Sequence, residues 1–190
     1  VILAQFDDDS VVVYQAYRPA IAAFAVEHQH FGGPFSMTRM SWIKPNFLWM
    51  MFRSGWATKL DQERVLAVRL RRTAFDRVLA AAVHTTHVAE VYGDTAQWQQ
   101  ALRASDVRLQ WDPDHGPSGA KLERRAIQLG LAGDTLRAYA TTDIVAVEDI
   151  TDVVHAQHAH VRAGNLHLLQ TPREAPYPVN DEAVRRHLGL

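Results

Sequence analysis

The chain has 190 residues, 47% of them hydrophobic, a formal net charge of −1 and a pI near 6.9. That size suits a single globular domain over residues 1–190, and the near-neutral balance excludes a general nucleic-acid coat protein, which is basic throughout. The absence of cysteine excludes disulfides, thiolate zinc sites and a cysteine nucleophile, and points to the reducing cytoplasm. No signal peptide is visible at Val1, where the missing methionine suggests that the natural chain starts earlier, and no apolar run approaches the roughly 18 residues of a membrane span. A soluble, cytoplasmic protein without membrane contact is expected.

In chain order, the β-branched and aromatic run Val11–Tyr17 predicts a strand, and Pro19 opens a helix that turns Ile21, Phe24 and Ala25 inward. Gly32, Gly33 and Pro34 make a loop, Met40–Ile43 a short strand, and Pro45 at the N1 position starts a helix that ends at Gly55. Val65–Leu70 alternates as a strand, and Thr73–His84 has helical apolar spacing at Phe75, Val78, Leu79 and Ala82. Asp94 or Thr95 caps a helix through Leu102. Val107–Trp111 is a strand ending in a turn over Asp112–Gly116, and Ala126–Leu131 is another, followed by a helix over Asp134–Tyr139. Ile144–Ile150 is a strand, Thr151 caps a helix, and after the proline-rich segment a last helix covers Asp181–Leu188. There is no internal repeat. Short strands mixed with helices, without regular βαβ spacing, predict an α+β fold with a mainly antiparallel sheet and flanking helices.

The chemistry concentrates in one segment. Between Glu27 and Asp61 there is no acidic residue, yet Arg39, Lys44, Arg53 and Lys59 stand among Trp42, Phe47, Trp49, Phe52 and Trp56. In a nearly neutral chain, this pattern suits a flat anionic ligand such as a nucleotide or nucleic acid. Trp49 and Arg53, four apart on a helix, share a face, and Lys44 just before that helix adds its charge to free backbone N–H groups that attract phosphate. A cation about 4 Å from a phosphate is worth roughly 4 kcal/mol at a surface dielectric, and a ring stacked on a base about 1–3 kcal/mol. The competing reading makes Trp49 a core aromatic and pairs Lys44, Arg53 and Lys59 with distant acids.

Other constellations are weaker. His84 and His87, His155, His158 and His160, and Glu27 with His30 lack the further ligands of a zinc or di-iron site, so no metal is expected. Asp112 at a strand end is a candidate base or ribose contact, against an Asp-Pro turn in which it bonds its own backbone. Gln128 and Arg125, three apart, face opposite sides of a strand, and Gln128 is the inward one if Ile127 and Leu129 face the core. Ser54 has no histidine nearby to activate it.

The runs VVYQAY (12–17), MSWIKPNFLWMMFRSGWATK (40–59), Gln62 to Arg64, VRLQWDPD (107–114) and RAIQLGL (125–131) resemble the bacterial and fungal proteins grouped as domain of unknown function 4291. The family pattern WIKPSFLWMMYRSGW is matched here except at Asn46 and Phe52, so no hydroxyl at either position is essential to shared chemistry. At the level of fold, the chain is also similar to small ADP-ribosyltransferases, α+β domains that bind NAD without a Rossmann fingerprint or P-loop. That similarity implies a first strand holding Tyr14, Gln15 and Tyr17, with Gln15 or Arg18 in the ribose-orienting position. It also implies nicotinamide and phosphate walls from the Trp42–Trp56 segment, and Gln128 in place of the usual late glutamate.

The expected function is therefore a nucleotide-dependent transferase, NAD-using and ADP-ribosyltransferase-like. Lys44 and Arg53 hold phosphates, Trp49 or Trp42 stacks a ring, Tyr14, Gln15, Tyr17, Arg18 and Ser54 complete the pocket, and Asp112 and Gln128 stand near the reaction. The alternatives are a single-stranded nucleic-acid-binding module and a protein-interaction domain using the same aromatics.

Overall fold

The computed structural model describes residues 1–190. Its elements are β1 (Leu3–Ala4), β2 (Ser10–Tyr17), α1 (Pro19–His28), β3 (Ser41–Ile43), α2 (Phe47–Ser54), β4 (Arg64–Arg71), α3 (Arg72–Ala81) and β5 (Ala82–His84). The second half adds α4 (Ala89–Tyr92), α5 (Thr95–Ala104), β6 (Val107–His115), β7 (Lys121–Leu131), α6 (Gly133–Ala140), β8 (Ile144–Asp149), α7 (Thr151–Arg162), β9 (Ala175–Pro176) and α8 (Glu182–Leu188). One sheet runs β2-β4-β8 and a second β3-β7-β6-β5, antiparallel except for β5 against β6. The class is α+β. No helix is long and apolar enough to cross a membrane.

Strand β2 explains the layering. Its side chains alternate, so Val11 and Val13 enter the main core with Leu66, Phe75 and Leu129, while Val12 and Tyr14 enter a second cluster with Phe47, Met50, Met51 and Trp56. A strand buried on both faces carries the uninterrupted apolar run seen in the sequence. Helix α2 packs across β2 and β6, and burying a side chain such as Phe47 there contributes roughly 1.5–3 kcal/mol.

Several boundaries differ from the sequence reading, each for a local reason. The helix expected over Thr73–His84 stops at Ala81, because Ala82–His84 pair in parallel with Val107–Leu109. Pro45 precedes the helix cap instead of opening the helix: Asn46 is the N-cap, its side chain accepting from Trp49 N. The turn expected over Asp112–Gly116 is strand, because Asp112 and Pro113 pair with Ala126 and Arg125. The register shift after Pro113 accommodates the missing proline N–H, and the hairpin closes at Gly116–Ala120. Asp94, one of the two caps expected there, caps α5 with a full capping box to Gln97, while Asp181, expected as the first residue of the last helix, is the N-cap of α8. Thr151 is instead the first residue of α7, its hydroxyl accepting from Val65 N.

The start of α2 has a second, distant partner. Glu174, just before β9, accepts from Phe47 N at 2.6 Å and from Asn46 Nδ2 at 2.8 Å. Burial pushes its carboxyl up from 4.5 to about 7, Asp114 adds to the rise, and these hydrogen bonds with Arg124 oppose it. Between the ordinary and the raised value the folded chain holds a proton that the unfolded chain has lost. Stability therefore falls as pH climbs through that window, by up to about 1.4 kcal/mol per pH unit from this group. We expect thermal melts of wild type to lose this component from pH 5 to 7, and Glu174→Gln to remove it; equal slopes in the two proteins would refute the assignment.

Candidate functional site

The two sheets are joined by one backbone bridge. Tyr14 N donates to Lys44 O at 2.7 Å and Lys44 N to Tyr14 O at 3.2 Å, and there the ladder between β2 and the β3 segment ends. In a continued antiparallel ladder Ala16 would face Trp42. Instead the strands part, and a cavity of about 810 Å³ opens between Gln15–Tyr17 on one side and Ser41, Trp42 and Lys44 on the other. Gln110 and Gln128 from the β6-β7 hairpin, Met50 and Arg53 from α2, and the 34–40 and 60–62 loops complete its wall.

Side chains take over where the ladder stops. Gln15, 3% exposed, accepts from Tyr139 Oη at 2.5 Å through Oε1 and donates through Nε2 to Tyr17 Oη at 2.7 Å and Trp42 O at 3.3 Å. Tyr17 Oη in turn lies 3.2 Å from Ser41 Oγ. Since the Tyr17 oxygen already accepts from Gln15, the chain continues when Tyr17 donates to Ser41, which leaves the Ser41 hydrogen for a guest. Burial pushes the Tyr17 hydroxyl up to about 12 despite those hydrogen bonds, so it stays protonated. Gln15 has both amide hydrogens engaged, so its place is behind Tyr17 and not against a ribose.

Four cations, Arg18, Arg39, Lys44 and Arg53, line this cavity with one carboxylate, Asp61. None of them is ion-paired; the six ion pairs of the chain lie elsewhere. Lys44 is 6% exposed, and its Nζ has a single long hydrogen bond, to Trp42 O at 3.5 Å. Burial, and then the Arg53 guanidinium, push its ammonium down from 10.5 to about 8, while Asp112 pulls the other way. Lys59, exposed and outside the cavity lining, donates to Arg53 O at 2.7 Å.

Asp112 stands one residue behind the wall. Gln128 Nε2 donates to Asp112 Oδ2 at 2.7 Å and to Gln110 Oε1 at 2.8 Å, so the carboxylate orients the amide that faces the cavity. The self-bonded Asp-Pro turn is absent. Arg125 points away from Gln128 and lies over Trp111.

The other expected residues lie elsewhere. Trp49 is 4% exposed and stacks on Phe52 and His115, each at 5.5 Å, with its Nε1 unpartnered and Arg53 6.0 Å from its ring. It is a packing residue outside the cavity. Tyr14 faces the opposite side of β2, edge-on to Phe47, and burial raises its hydroxyl well above the ordinary value. Ser54 is fully buried: its Oγ accepts from Ala57 N at 3.2 Å and steadies a turn in which Gly55, Trp56 and Ala57 all have positive φ. Of the backbone N–H groups of α2 expected to meet a phosphate, those of Phe47 and Trp49 are taken by Glu174 and Asn46. No three His, Asp or Glu side chains come together as metal ligands; His84, for example, bonds Tyr92 Oη at 3.0 Å.

Ser41, Gln110 and Tyr139 join the site without a local signal in the sequence. Gly130 does carry one, a glycine inside a strand. It pairs with Trp42, and a Cβ there would meet Met40 Sδ at 2.7 Å and the indole at 3.0 Å. Gly130→Ala should push the Trp42 ring out of place, destabilise the fold by roughly 1–3 kcal/mol and change the near-UV circular dichroism of the tryptophans; an unaltered spectrum would show that the ring keeps its place and the added methyl is absorbed elsewhere.

The family model described as domain of unknown function (DUF4291) matches residues 1–177. No curated protein matches the chain. The match takes in both sheets and every residue that lines the cavity, and the chain belongs to the DUF4291 family.

Proposed function

We propose that the chain is a nucleotide-dependent transferase that uses NAD in the manner of ADP-ribosyltransferases. The observation that carries this reading is the cavity with four unpaired cations, beside the rings of Tyr17, Phe35 and Trp42. Its volume falls within the roughly 300–1,000 Å³ of small-molecule sites. Lys44 and Arg53 hold the phosphates, with Arg18 and Arg39 toward the rim. Trp42 is the ring for a base or nicotinamide, and the Ser41 hydroxyl is the donor for a ribose oxygen.

In the reaction the bond between ribose C1′ and the nicotinamide nitrogen breaks with its electron pair leaving on nicotinamide. An oxygen or nitrogen of the acceptor bonds to C1′ and gives up its proton. Positive charge builds on the ribose in between, and Asp112, acting through the Gln128 amide it orients, is the carboxylate we assign to meet it. Trp49 and Trp56 are sealed in the core, which removes the row of rings that a single strand of nucleic acid would need and favours a mononucleotide- or dinucleotide-sized ligand. The same burial leaves a protein-interaction surface with little aromatic area.

Calorimetric titration with NAD should give a micromolar to submillimolar Kd, and Lys44→Ala with Arg53→Ala should weaken it about 100-fold or more. No heat of binding to wild type at millimolar NAD, or an affinity unaltered in the double variant, sinks the reading.

The Lys44 ammonium gives a second expected outcome. A phosphate beside it favours the charged form, so binding draws in a proton once pH passes about 8. Affinity should fall with rising pH above that point, by up to roughly tenfold per unit, and Lys44→Met should bind weakly without this slope. Titration in two buffers of different ionisation enthalpy measures the proton uptake directly.

A further inference from the structure

Lys44 differs from the other lysines of the chain, Lys59 and Lys121, in being buried; both others are exposed. Its amine opens onto the cavity, is held by a single long hydrogen bond to Trp42 O, and has no carboxylate within ion-pair distance. A desolvated lysine beside another cation is the setting in which an amine becomes a nucleophile near neutral pH. We infer that Lys44 is a nucleophilic amine that condenses with a phosphate-bearing aldehyde or ketone admitted to the cavity. This chemistry is separate from nucleotide binding and does not depend on it.

Geometry divides the labour. Arg18, Arg39 and Arg53 line the same cavity as Lys44, so a phosphate held by a guanidinium keeps the rest of a small molecule in the space that Lys44 also lines. The nitrogen lone pair forms a bond to the carbonyl carbon while the C=O π electrons move to oxygen, giving a carbinolamine. The C–O bond then breaks as C=N forms, and both amine hydrogens leave with that oxygen as water. The step needs no oxidant, reductant or further reactant. The nearby carboxylate, Asp112, bonds Gln128 and leaves the amine free. The lowered ammonium value agrees with this assignment, since burial and the Arg53 charge favour the neutral amine.

The test uses pyridoxal 5′-phosphate on the wild-type protein at pH 8, with borohydride reduction and peptide mapping of Lys44, Lys59 and Lys121. Lys44 should be labelled roughly tenfold faster than either exposed lysine, because its larger neutral fraction outweighs the weaker nucleophilicity of a less basic amine. Pyridoxal without the phosphate should lose most of that preference. Labelling of Lys44 no faster than that of Lys59 and Lys121 overturns the proposal, and an equal preference with pyridoxal overturns the phosphate requirement.

Discussion

A single backbone bridge between Tyr14 and Lys44 decides the shape of this molecule. Had the ladder continued, β2 would have paired with β3 along its length, one continuous sheet would have run from β8 to β5, and there would be no cavity between the two halves. Ending it leaves Trp42 O facing a gap, where Gln15 Nε2 and Lys44 Nζ approach it instead of a backbone N–H. A buried carbonyl left without a partner costs about 1–3 kcal/mol, so the polar residues in the middle of an otherwise apolar strand are what make the opening tolerable. Gln15 and Tyr17 share one face of β2, and the cavity is on that face.

The same opening sets the electrostatics. Because the sheets part next to α2, Lys44 at the junction and Arg53 in the last turn of the helix face the same space. Burial lowers the Lys44 ammonium, and the like charge of Arg53 lowers it further. The strained turn after α2 belongs to the same arrangement. Consecutive left-handed residues cost about 1–2 kcal/mol each where a Cβ is present, and the Ser54 hydroxyl and backbone bonds to Ser54 O hold them there. Beyond the turn, Leu60, Asp61 and Gln62 form a rim of the cavity.

Much of the fold was legible because the signals are local. Alternation marked the strands, Asp94 and Asp181 marked two helix starts, and the acid-free stretch held three of the four cations at the cavity, Arg39, Lys44 and Arg53. What local pattern does not carry is which face of a helix meets solvent when both faces hold large residues. Trp49 and Arg53 do share a side of α2, yet His115 from the distant hairpin stacks on Trp49 and Phe52 and covers the indole, while Arg53 still reaches the cavity. Positions 46 and 52 show such contacts. Asn46 caps the helix through its side-chain oxygen as a serine would, and Phe52 stacks on His115 at 3.5 Å, a contact made by its ring face. Tyr139 and Glu174 reach their partners across 124 and 127 residues, a separation that no window of sequence displays.

Lys44 and Glu174 flank the same short stretch, Pro45 and Asn46, and each is poorly matched to its surroundings: the lysine is pushed toward its neutral form and so is the glutamate. An ion pair between them would relieve both. They form none, and Glu174 is spent on the first N–H of α2 and on Asn46. Folding alone would favour the pairing, since a buried lysine without an acid is among the more costly arrangements in a protein. The glutamate near that helix end is aimed at backbone, and the lysine is left open to an 810 Å³ cavity, an uncompensated buried charge of the kind that gathers at functional sites.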